Sequence, residues 1–199
     1  MLVLVALVHC SRAADEQPPG PPPTASPPPS ATMAPAAPPA PSPTAESGPP
    51  LLWNDPPRWS RRKPSSPMRV AEYGVPHAKS DTSDAECTVI TFGAGQGGTV
   101  EDNIGRWVRQ FNPPSGAPTR ATATVNGMTV TRIEVAGSYH PMQMPGAPAA
   151  PSTLQGERMV GTIVETPSGL WFFKLTGPDA TVKASAVELD DMIASLHPR

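Results

Sequence analysis

The chain has 199 residues, among them 30 prolines, 16 glycines and two cysteines, and a formal net charge of −2. Neither half carries a basic excess, which argues against a nucleic-acid binder, and two cysteines make no disulfide framework. Half of the prolines fall between Glu16 and Pro50. With that stretch and a leader set aside, roughly 130 residues remain, enough for one core that buries about two-thirds of its unfolded surface.

Met1 to Val8 is an apolar run after the initiator. It suits the hydrophobic region of a signal peptide and falls short of the ~20 residues that cross a bilayer. Cys10 stands where a lipobox places its lipidated cysteine, with Leu7 three positions earlier. His9 departs from that pattern, which asks for Ala, Gly or Ser. Residues 1–14 therefore read as a signal-like or lipoprotein-like leader, and Cys10 as a candidate lipidation site that would anchor the chain to a membrane. The expected location is extracytoplasmic, in the periplasm or at the outer membrane.

Residues 15–66 read as a disordered Pro/Ala-rich tether. Proline removes backbone donors and fixes φ, so polyproline II and coil are the conformations left to it. At its end, Trp53 and Trp59 mix with Arg58, Arg61, Arg62 and Lys63. Such a cluster can meet anionic headgroups, but a solvated junction whose tryptophans dock loosely is the simpler expectation. With Cys10 lipidated, Cys87 has no partner and reads as a buried structural thiol.

The domain is expected over residues 67–199. Met68 to Tyr73 and Glu86 to Phe92 read as strands, the second by its alternation and β-branched content. Thr99 to Phe111 reads as a helix: Thr99 caps it, Asp102 reciprocates, and Val100, Ile104, Trp107, Val108 and Phe111 form one apolar stripe. Pro113-Pro114 ends it. Asn126-Gly127 joins Ala121–Val125 to Met128–Val135 in a hairpin. A Met/Pro/Gly-rich loop runs from His140 to about Gln155. Arg158–Glu165 and Leu170–Leu175 form a second hairpin, and Val182, Ala186, Leu189, Ile193 and Leu196 mark a final helix. The order β-β-α-β-β-β-β-α predicts an α+β fold with a mainly antiparallel sheet and helices packed on it.

Three patterns invite chemistry. Gly93, Gly95 and Gly98 have dinucleotide-binding spacing between a strand and a helix. Three features oppose a nucleotide. The helix leads into an antiparallel hairpin, so no parallel β-α-β unit is expected. No acid follows Asp102 before Glu134, and Glu101 and Asp102 sit where a pyrophosphate would. His140, Met142 and Met144 are soft ligands of the kind that select Cu(I), although loop methionines also serve as apolar filler. His77, His140 and His197 accompany no Gly-x-Ser-x-Gly elbow, and no histidine near Cys87 in the sequence recommends it as a nucleophile. No cofactor is expected, and catalysis by an unrecognised site stands as an alternative to a non-enzymatic role.

Phe92 to Phe111, with its Asn103-Ile104-Gly105-Arg106-Trp107 centre, and Gly169-Leu170-Trp171-Phe172-Phe173-Lys174-Leu175-Thr176-Gly177-Pro178 before the last helix together resemble a group of uncharacterised bacterial exported proteins and lipoproteins. That group is similar in fold to PsbP, the accessory protein of the oxygen-evolving complex, and to a Ran-binding nuclear import factor. The resemblance implies a PsbP-like domain with a binding or structural role in the cell envelope. It supplies no catalytic residues and leaves the partner, an envelope protein or surface, unspecified.

Overall fold

The computed structural model describes residues 51–142 and 152–199. Cys10, the leader, the Pro-rich stretch to residue 50 and Met144 lie outside the described residues. The chain begins with β1 (Leu51–Leu52), β2 (Ser60–Arg62), β3 (Arg69–Val75) and β4 (Ala85–Thr91). Helix α1 (Val100–Arg109) leads to β5 (Phe111–Pro114), β6 (Thr119–Val125) and β7 (Met128–Tyr139). Then come β8 (Leu154–Thr166), β9 (Gly169–Pro178), α2 (Asp179–Ala194) and β10 (His197–Pro198). The fold is α+β. Among the described residues, eight strands form one antiparallel-paired sheet in the order β2-β3-β4-β9-β8-β7-β5, with β6 also paired to β7, while β1 and β10 form a separate ladder.

Alternation along the strands divides the core in two. Trp171, Phe173 and Leu175 of β9 join Tyr73, Cys87, Val89, Val160 and Val164 under Val182, Leu189 and Ile193 of α2. Phe172, Ile163, Met159 and Ile133 face the other way, against Ile104 and Trp107 of α1 and Phe111. Trp107 meets Phe172 edge-on, centroids 6.0 Å apart, and its ring lies where a Cβ at position 161 would stand. Glycine at that position lets the helix approach the sheet.

Local chemistry explains the element ends. Thr99 accepts from the Asp102 amide at 3.1 Å and Asp102 reaches back to Thr99, the expected capping box. Asn126 and Gly127 both have positive φ, 47° and 80°, as a tight two-residue hairpin demands. Helix α2 begins at Pro178 without a cap of its own. Asp81, from the β3–β4 loop, takes over that task by accepting from the Thr181 amide at 2.8 Å and its hydroxyl at 2.6 Å.

The structure corrects the sequence reading at three places. The folded unit takes in the chain from Leu51 onward, not from residue 67. Leu51 and Trp59 are buried, and β2 pairs with β3, setting Arg61 opposite Tyr73. The Trp53 indole donates to the Tyr73 hydroxyl at 2.9 Å and the Trp59 indole to Glu188 at 3.0 Å. The segment from Leu51 to Trp59 is thus a strap fixed to the α2 face, where proline density masks a handful of large apolar anchors. Phe111, expected to close α1, instead opens β5. Finally, four antiparallel pairings separate β4 from β5, so those two strands point the same way. A β-α-β crossover does exist, but it passes over β9, β8 and β7 and leaves no adjacent parallel pair.

Candidate functional site

Helix α1 is only ten residues long, and its apolar stripe covers the part of the sheet around β7 and β8. The remaining strip of that face, over β3, β4 and the far part of β9, carries polar side chains. Register brings them together: Thr88 stands between Glu72 and Lys174, and Glu86 between Gly74 and Thr176.

Lys174 is the centre of this strip. Its ammonium donates to Gln110 Oε1 at 2.8 Å and to the Tyr139 hydroxyl at 3.3 Å, and it lies 5.3 Å from the Tyr139 ring centroid. Both partners are neutral. Burial, then the neighbouring Arg106 charge, lower the ammonium to about 8, and Glu86 offsets this only in part. Burial also raises the Tyr139 phenol to about 12, with Glu86 and Glu157 adding to the effect, and lifts the Glu157 carboxyl above its usual range.

Around Lys174 the charges are shared. Arg69 bridges Glu72 at 2.8 Å and Glu86 at 3.0 Å. Burial works against ionisation of Glu72, but the Ser65 amide and Arg69 together hold it below its ordinary value. Arg106 reaches Asn103, whose amide in turn donates to the Gly97 and Thr99 carbonyls, each at 2.7 Å. The Thr176 hydroxyl, next along β9 on the same face, is buried without a hydrogen-bond partner among the described residues. The strip thus gathers an ammonium, a guanidinium, a hydroxyl and two carboxylates, of which the Glu86 side chain, 42% exposed, is the carboxylate most open to solvent.

The residues singled out from sequence fall elsewhere. His140 follows β7, where Nε2 lies 2.9 Å from the Asn112 carbonyl and Nδ1 lies 3.2 Å from Thr153 Oγ1, so its ring ties neighbouring chain segments together. Met142 is exposed, and Met144 lies outside the described residues. Among the described residues no three His, Cys, Asp or Glu side chains gather as a metal site would require.

Gly93 to Gly98 borders an open depression of about 610 Å³ completed by Glu165 to Leu170. The Asp102 and Asn103 amides at the adjoining helix start are occupied by Thr99. His77 holds Asp84 at 2.7 Å, and His197 lies against the Ser195 carbonyl at 2.9 Å. Cys87 is fully buried, and burial pushes its thiol up. It is packing material, as its place in a strand suggested. The sequence did contain a signal for Lys174: one charge inside an apolar run, on the face it shares with Phe172.

No family model and no curated protein matches the chain. Among solved structures, a Pseudomonas aeruginosa protein of unknown function is similar at a TM-score of 0.44 and 8% identity, over 71% of this chain and 98% of its own. Cyanobacterial PsbP from Synechocystis is similar at 0.43 and 14%, over 75% of this chain and 92% of its own. No described helix is long and apolar enough to cross a membrane.

Proposed function

We propose that this chain is an exported binding module of the cell envelope, carried on its Pro-rich segment and acting by contact rather than catalysis. One observation carries the reading. The chain enters the described fold at Leu51, on the α2 face, where the Asn54 amide reaches Ser195 at 2.9 Å and Arg58 forks onto Glu188 at 2.8 and 2.7 Å. The polar strip around Lys174 occupies the opposite face. A domain held from one face presents the other, and the presented face is the one that carries the polar strip of Glu72, Glu86, Thr88, Lys174 and Thr176.

Cell fractionation tests the location. The wild type should sit with the membrane and Cys10→Ala should become soluble outside the cytoplasm; a cytoplasmic pool for both removes export from the proposal. A photoreactive phenylalanine in place of Glu86, whose side chain is 42% exposed, tests the face. It should cross-link to envelope components where the same residue in place of Val187, 60% exposed on α2, does not. The reverse pattern would assign contact to the strap face instead.

A further inference from the structure

The two edges of the sheet are built differently. Strand β2 is short and charged, Ser60-Arg61-Arg62, the usual guard against unwanted pairing. Strand β6 has seven residues, Thr119-Arg120-Ala121-Thr122-Ala123-Thr124-Val125. Among the described residues it pairs with β7 alone, in unbroken register from Thr119 to Val125. It carries no lysine, proline or bulge. Its one charge, Arg120, is drawn back onto Glu101 of α1 by bonds of 2.8 and 2.7 Å. Both of its faces are exposed from Thr119 to Thr124.

The turn fixes which backbone groups are free. In a two-residue hairpin the residues flanking the turn, here Val125 and Met128, exchange their backbone hydrogen bonds. Alternation then points the amides and carbonyls of Thr124, Thr122 and Arg120 away from β7.

We propose that β6 is a docking edge for a second copy of this chain, joining two sheets antiparallel about a two-fold axis at Thr122. The strand is complementary to itself in that register. Ala121 faces Ala123 of the other copy, Thr119 faces Val125, and Arg120, already neutralised, faces Thr124. No like charges meet, and the small side chains allow close approach on both faces. The pairing is isologous, so it closes at two copies and leaves the Lys174 strips of both on one side of the joined sheet.

Sedimentation velocity on the full chain carrying Cys10→Ala decides this, over a concentration series into the high micromolar range. A monomer–dimer equilibrium is expected. Thr122→Pro, which removes an outward donor and leaves the β6–β7 bonds intact, should weaken it about tenfold or more. Thr122→Cys should yield a covalent dimer on oxidation, since the axis places the two copies of position 122 opposite each other. If circular dichroism shows Thr122→Pro misfolded, Thr122→Lys probes the same edge by charge repulsion at the axis and should weaken the dimer likewise. A chain that stays monomeric throughout overturns the proposal, as does a dimer that Thr122→Pro and Thr122→Lys leave unchanged.

Discussion

Gly161 is where a single methyl group should be felt by both the fold and the site. Its φ is not in the left-handed region, and an alanine in an extended strand is otherwise favoured over glycine by about 0.5–1 kcal/mol. The added Cβ, however, would occupy the space of the Trp107 ring, and it would also approach an Ile133 methyl at 3.3 Å. Overpacking of this kind costs about 1–3 kcal/mol, so Gly161→Ala should destabilise by about 1–2 kcal/mol net. For a domain of this size that is a fall in Tm of about 2–8 °C. Thermal melts by circular dichroism and urea titration measure it. Trp107→Leu supplies the control: with the ring gone, the alanine should cost nothing or stabilise slightly. A variant as stable as the wild type, or a cost that persists without Trp107, would refute the claim that ring-on-glycine contact seats α1. Because α1 also carries Arg106, and Gln110 caps it, Gly161→Ala should shift the titration of Lys174 as well.

Three further outcomes follow from named contacts. The Lys174 ammonium is lowered to about 8 from the usual 10.5; between those values the unfolded chain binds more protons, so stability should rise as pH goes from about 8 to 10. Lys174→Met should flatten that rise and stabilise the protein at pH 7, and a wild-type curve that falls over this interval contradicts the buried-amine account. A chain that begins at residue 67 loses Leu51, Trp59 and the β2 ladder; at about 1.5–3 kcal/mol per large apolar side chain, its urea midpoint should reflect a loss of at least about 3 kcal/mol. Equal midpoints would return residues 51–66 to the tether. Asn103→Leu removes the bonds to the Gly97 and Thr99 carbonyls and should cost about 1–3 kcal/mol, with proteolysis between Gly93 and Gly98 accelerated; an unchanged cleavage rate would show that the loop does not depend on that clamp.

Elements whose signals are local were legible in the sequence. The capping box at Thr99, the Asn126-Gly127 turn and the alternation of Trp171, Phe173 and Leu175 each act through neighbouring residues, so reading along the chain finds them. The strap was not legible, because Trp53 and Trp59 are anchored by Tyr73 and Glu188, separated from them by 20 and 129 positions, while the prolines between them suggest coil. The parallel relation of β4 and β5 is likewise a property of the whole strand order. Asp81 looks like one acid in a polar loop until α2 arrives without a cap. The polar strip escaped notice for a related reason: Glu72, Glu86, Thr88 and Thr176 sit on three strands and meet only through register.

A polar strip on a sheet face has an inexpensive explanation, that water covers it and the side chains are indifferent. Lys174 resists that explanation. Its stem is packed, its ammonium finds only an amide and a phenol among the described residues, and its proton is bound less firmly than in water. A methionine of similar reach would fill the same space without that cost, since removing a buried charge that lacks an opposite partner tends to stabilise a protein. A residue that weakens the fold it sits in is either a tolerated defect or has its use outside the stability of that fold. The two readings separate cleanly in Lys174→Met. Raised stability with cross-linking from position 86 retained makes the lysine a tolerated defect; raised stability with cross-linking lost makes it a contact residue. We expect the second, because the strip lies on the face that the strap leaves open.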